Sequence, residues 1–139
     1  MNDEAVAIMK SLVERGASRV TLVRAAAAAA RAVIPLAGKW RSEAVDAINT
    51  VERWVRNPDA ANRRLAENQV FSIGHHKRKM ATRKEMSEIF AILAAKNAVL
   101  ACFHVSDLLH PAVFAVECAE KAAAVHGINI AVLVTAEML

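Results

Sequence analysis

Apolar residues recur at intervals of three and four along most of this chain, the period of an α-helix with one buried face. Ile8, Leu12 and Val13 place such a stripe on a first segment, from Asn2 to about Arg15. Asn2 is its expected cap, Asp3 and Glu4 suit the positive end of the helix dipole, and Gly16 stops it. A second segment opens at Ser18 and runs to about Ala37, with a kink or end near Ile34 imposed by Pro35. Its unbroken run Ala25–Ala30 is helical almost by default, because alanine has the best helix propensity. Val45, Ile48, Val51, Trp54 and Val55 mark a third helix, expected to be capped by Ser42 and ended by Asn57-Pro58. A fourth, capped by Asp59 and closed by Gly74, carries Leu65, Ala66, Val70 and Ile73.

The second half begins with a basic connector, His75-His76-Lys77-Arg78-Lys79-Met80. Thr82 followed by Glu85 fits a capping box for a long helix from Arg83 to about Leu109. Met86, Ile89, Phe90, Leu93 and Leu100 line one side of that helix. Ala91, Ala95, Ala98, Cys102, Val105 and Leu109 line another. A helix apolar on two sides is packed on two sides, so this is the expected central helix. His110-Pro111 breaks the pattern and opens a further helix, with Val113, Phe114, Val116, Cys118 and Ala122, ending at His126-Gly127. Ile128, Ile130, Val132 and Val134 alternate as a strand would, but nothing else in the chain offers a sheet partner. The tail from Ile128 to Leu139 is therefore expected to be a final helix. The expected fold is all-α: one domain over residues 1–139, a compact bundle of six to seven helices built from helical hairpins around the helix Arg83–Leu109.

Composition agrees with that pattern. Thirty of the 139 residues are alanine, only four are glycine and three proline, and there is no tyrosine. This excludes a collagen, a disulfide-stapled miniprotein and a disordered tail. The two cysteines, Cys102 and Cys118, fall in apolar helical patterns and read as small buried hydrophobes in a reducing compartment. The acidic start Met1-Asn2-Asp3-Glu4 does not read as a secretory signal, so a cytoplasmic location is expected. The apolar window Ile89–Val105 contains Lys96, Asn97 and His104 and is shorter than the ~20 residues of a membrane span, so no membrane association is expected.

Charge changes the picture more. Residues 1–84 hold sixteen Lys/Arg against eight Asp/Glu, whereas residues 85–139 hold two against six, for a net charge of +4. Such asymmetry suits an electrostatic partner, or the opposite half of a second copy in a homo-oligomer. The stretch His75 to Lys84 has five Lys/Arg, two His and no acid. It suits an acidic protein surface, a phosphate backbone, or solvent alone. No aromatic residue lies within it to stack a base.

Candidate chemistry is sparse. His104, Asp107 and His110 recur every three residues, within about 120° on a helix, and two His with a carboxylate are iron or zinc ligands in principle. No Glu-x-x-His pair completes a bundle metal site, so they read as satisfied helix-end groups and no metal or other cofactor is expected. Cys102 and His104 stand two apart and point away from each other on a helix, which excludes a thiol–imidazole pair there. There is no serine elbow, phosphate loop or zincin motif, so the chain does not read as an enzyme. Trp54 reads as a core anchor and Trp40 as a lid over the core or an interface residue.

Ala30-Arg31-Ala32-Val33-Ile34-Pro35-Leu36 resembles the A-x-R-V-L-P-L helix end of a bacterial all-helical family assigned an immunity role in polymorphic toxin systems. Ala47-Ile48 followed by Trp54-Val55-Arg56 is similar to that family's A-I … W-x-R-G-E helix, with the same gap between Ile and Trp; Asn57-Pro58 stands where the family carries Gly-Glu. The resemblance covers about residues 29–59. It implies an all-helical protein that binds and neutralises a protein partner. The resulting expectation is a non-enzymatic, immunity- or inhibitor-like module that occludes an acidic partner. The expected contacts are Arg63, Arg64, His75, His76, Lys77, Arg78, Lys79, Arg83 and Lys84. The alternatives are nucleic-acid binding through the 75–84 segment and a structural homo-oligomer.

Overall fold

The computed structural model describes residues 4–72, 83–103, 110–124 and 129–137, and every regular element among them is helical. Helix α1 spans Glu4–Glu14, α2 Arg19–Val33, α3 Arg41–Arg56, α4 Ala60–Ser72, α5 Arg83–Ala101, α6 Pro111–Ala123 and α7 Ile130–Ala136; a 3-10 segment, Ile34–Trp40, joins α2 to α3. The bundle and the helical tail agree with the pattern in the sequence.

Local chemistry sets most boundaries. The Ser18 hydroxyl accepts the Thr21 N–H at 3.2 Å and starts α2. Asp59 accepts the Asn62 N–H at 2.8 Å and starts α4. Gly16, at φ +74°, ends α1, with the Ala17 N–H on the Leu12 carbonyl and the Gly16 N–H on that of Val13. These are the paired bonds of a glycine-terminated helix. Pro35 sits in the first turn of the 3-10 segment and turns the chain there.

Four expectations are corrected. Ser42 is not the cap of α3: the helix starts at Arg41, continuing from the 3-10 segment with Trp40 at the cap position and no side-chain capping bond there. Helix α5 ends at Ala101 rather than Leu109. Its last turn tightens, with the Cys102 and Phe103 N–H groups bonding three residues back, and the Arg19 guanidinium takes the Ala101 carbonyl at 3.3 Å. Helix α6 ends at Ala123, before the expected His126-Gly127. On α4, Leu65 is exposed and Ala66 supplies the buried contact, because this polar helix packs mainly against α3 and α5 among the described residues. The caps expected from Asn2 and Thr82, the stop at Gly74 and the residues His75–Met80 lie outside the described residues.

Helix α5 packs against α6, α2, α3, α4 and the 3-10 segment. Helix α2 is as central, touching α1, α3, α5, α6 and α7. Its alanine run explains this, since small side chains let several neighbours approach one backbone. Of the 38 buried apolar residues described, 21 are alanine, and the bulkiest fully buried ones are Met9, Ile48, Ile89 and Ile92. The stretch Arg19–Arg56 is long and apolar enough to cross a membrane by length and composition, and 56% of its most apolar window is buried inside the protein.

Two polar groups enter this interior, both with partners. Ser87 donates to the Ala122 carbonyl at 2.8 Å. The Glu120 carboxylate accepts the Val6 N–H at 2.9 Å, which caps α1 from the other end of the chain. Gly38, at φ +58°, brings the 3-10 segment so close to α5 that an added Cβ would lie about 2.5 Å from the Glu88 carboxyl carbon.

Candidate functional site: the arginine-lined corner of α3 and α4

Helix α3 ends and α4 begins in the turn Arg56-Asn57-Pro58-Asp59. Asn57 leaves helical geometry at φ −140°, as the residue before a proline must. Its carbonyl accepts both the Asp59 N–H and the Asn62 side-chain amide at 2.8 Å. Further along, Thr50 donates to Gln69 at 3.1 Å and ties the two helices together. The corner is thus a fixed turn. Residues 53–64 carry four arginines, Arg53, Arg56, Arg63 and Arg64, all exposed, against the single acid Asp59.

A cleft of about 360 Å³ opens on this corner. Arg19 and Arg63 stand on its rim, and Trp54, Pro58 and Phe103 supply its apolar wall. The two guanidiniums are held differently. Arg19 is bonded to the end of α5 through the Ala101 carbonyl. Arg63 bonds Glu67 one turn on, at 3.2 Å. The carboxylate of Asp59 also lines the cleft, and it is engaged as the α4 cap. A second groove is bounded by Arg24 and Arg56 and by the acids Glu52 and Glu137, over Ala27, Ala28 and Val55, so its charges balance.

Cys102 lies against the first cleft, but burial pushes its thiol up to about 12, an effect that the nearby Arg19 only partly offsets. It is protonated at neutral pH and offers no thiolate. His110 sits at the cap of α6, where Nδ1 accepts the Ala112 N–H at 3.1 Å. That bond needs the neutral ring, and burial together with Arg19 lowers the histidine's pKa from its ordinary value. So His110 acts as a helix cap, while His104 and Asp107 lie outside the described residues. No group of three or more metal-ligating side chains occurs among the described residues.

The expected contact residues divide. Arg63 and Arg64 are exposed on α4. His75, His76, Lys77, Arg78 and Lys79 lie outside the described residues, as do the side chains of Arg83 and Lys84 at the start of α5. Arg31, which shares the helix face of Arg24 in sequence, is clamped to α3: both its bonds to the Glu52 carboxylate are 2.7 Å, and a third reaches Asn49 at 3.0 Å. Trp54 is buried as expected, yet one edge lines the cleft. Trp40 is half-buried against the core.

Arg19 was not among the expected contacts. One signal pointed to it: a cation in the first turn of a helix opposes the dipole, so an arginine directly after the Ser18 cap is locally unfavourable and needs a tertiary reason. Comparison with family models, with curated proteins and with solved structures returns no match to this chain.

Proposed function

We propose that this chain is a non-enzymatic protein-binding module, immunity- or inhibitor-like, that occludes an acidic partner. The observation that carries the reading is the α3–α4 corner: four exposed arginines and one acid within twelve residues, held on a fixed turn beside a cleft of about 360 Å³. Complementary charge steers encounter and fixes register. Arginine together with tryptophan is the composition that dominates interface energetics. In sequence, the basic segment 75–84 follows α4 and runs into the start of α5.

The products of the genes flanking this one are the first partners to test. Co-purification comes first, then titration against the native chain and the Arg63→Glu/Arg64→Glu double variant. Loss of binding with unchanged helicity supports the reading. Undiminished binding at physiological salt overturns it. Affinity for generic duplex DNA that falls steeply with salt would replace it with nucleic-acid binding, and a solution mass that drops with salt would replace it with self-association.

A further inference from the structure

The cleft at the α3–α4 corner differs from a merely charged surface in three ways. Its two rim arginines come from separate helices, α2 and α4: Arg19 is held by the Ala101 carbonyl, and Arg63, more exposed, shares an ion pair with Glu67 that a partner carboxylate would exchange for its own. A guanidinium positioned in advance loses less side-chain freedom on meeting a carboxylate, and its planar fork suits that group. Its wall is aromatic, with an edge of the otherwise buried Trp54 and the half-buried Phe103. Its size, about 360 Å³, is at the low end for ligand pockets and leaves room for an apolar side chain together with flanking groups.

We propose that this cleft anchors a short acidic segment of a partner protein, with one apolar side chain placed between Trp54 and Phe103 and flanking carboxylates on Arg19 and Arg63. The proposal deepens the protein-binding reading and rests on it. Charge complementarity selects this occupant. Asp59, the acid at the cleft, already serves α4 as its cap, while Arg53 and Arg64, exposed and next in sequence to the lining residues Trp54 and Arg63, add positive charge to the same two helices. The apolar wall distinguishes the segment from a purely acidic tract, which the outer arginines alone would hold.

Trp54 itself provides the readout. Trp40→Phe leaves it as the single tryptophan. The probe is a glutamate-rich peptide with one central phenylalanine, compared with the same peptide carrying alanine in that place and with oligo-dT. Addition of the phenylalanine peptide changes Trp54 emission, and the alanine peptide binds about tenfold more weakly. Arg63→Glu and Ala60→Phe, the second filling the cleft without changing charge, each abolish the response. Both positions are exposed, so circular dichroism and thermal midpoint remain those of the parent. Arg41→Glu, at the opposite end of α3, leaves the response intact. Equal affinity for the two peptides, or a response that survives Ala60→Phe, overturns the cleft while leaving the basic surface standing. Failure of every peptide to bind, or tighter binding of oligo-dT, overturns the proposal. The partner titration with the Arg63→Glu/Arg64→Glu variant reports separately on the protein-binding reading.

Discussion

The interior around α2, α5 and α6 and the corner between α3 and α4 use opposite means. The interior is built from alanine and is held by how closely backbones approach. The corner carries long charged side chains on a turn fixed by individual hydrogen bonds, the Asn62 amide on the Asn57 carbonyl and Arg19 on that of Ala101. Volume is therefore the sensitive quantity inside and charge the sensitive quantity at the corner. One chain can carry a close-packed scaffold and a charged surface because the two answer to different forces.

Ile92→Ala is the largest expected break in that contrast. Ile92 is one of the few bulky side chains fully enclosed in the core, and its truncation should cost about 2–5 kcal/mol in denaturant unfolding. Ala95→Leu tests the same region from the other direction. There is no room for three extra carbons at a fully buried alanine on α5, and overpacking should cost about 1–3 kcal/mol. A loss below about 0.5 kcal/mol in both variants would show that the interior is not close-packed.

Between these extremes lie groups that join elements. Removing the Glu120 carboxylate by Glu120→Ala strips α1 of its cap at Val6 and should cost about 1–3 kcal/mol, with faster amide exchange at Val6 than in the parent. Gly38→Ala places a side chain at positive φ against Glu88 and should cost about 1–3 kcal/mol in thermal unfolding.

His110 links the two regions, since Arg19 of the corner acts on it. Its pKa in the fold lies below the ordinary 6.5, so below that pH the unfolded chain binds more protons than the folded one. The sign follows: the neutral-ring contribution is intact above about pH 6.5 and is lost as pH falls below it. The thermal midpoint between pH 8 and 5 should drop further for the native chain than for His110→Asn, which caps α6 without titrating. Equal drops would remove His110 from the account. The smallest effect on stability belongs to the corner. Arg63→Glu should shift unfolding by no more than about 0.5 kcal/mol while weakening acidic-peptide binding at least about tenfold.

Much of the helical framework was legible because its signals are local. Ser18, Asp59 and Gly16 act within one turn, and the alanine run needs no partner to favour helix. Ser42 misled because a serine is a good cap only where the chain enters the helix from an extended conformation, and here a 3-10 segment leads in directly. The end of α5 was not legible, since no glycine or proline marks it. What takes its terminal carbonyl is Arg19, 82 residues earlier.

By itself the chain determined that it is helical, where most helices start, and that positive charge collects in its first 84 residues. These follow from propensity, period and composition, which act over a few residues. Tertiary structure alone decided that α2 shares the centre with α5, that Glu120 closes α1, and that Arg19 and Arg63 line one cleft with an edge of Trp54. Each of those pairings depends on packing between helices far apart in sequence. An alanine-rich face is compatible with many neighbours, and only the fold selects one.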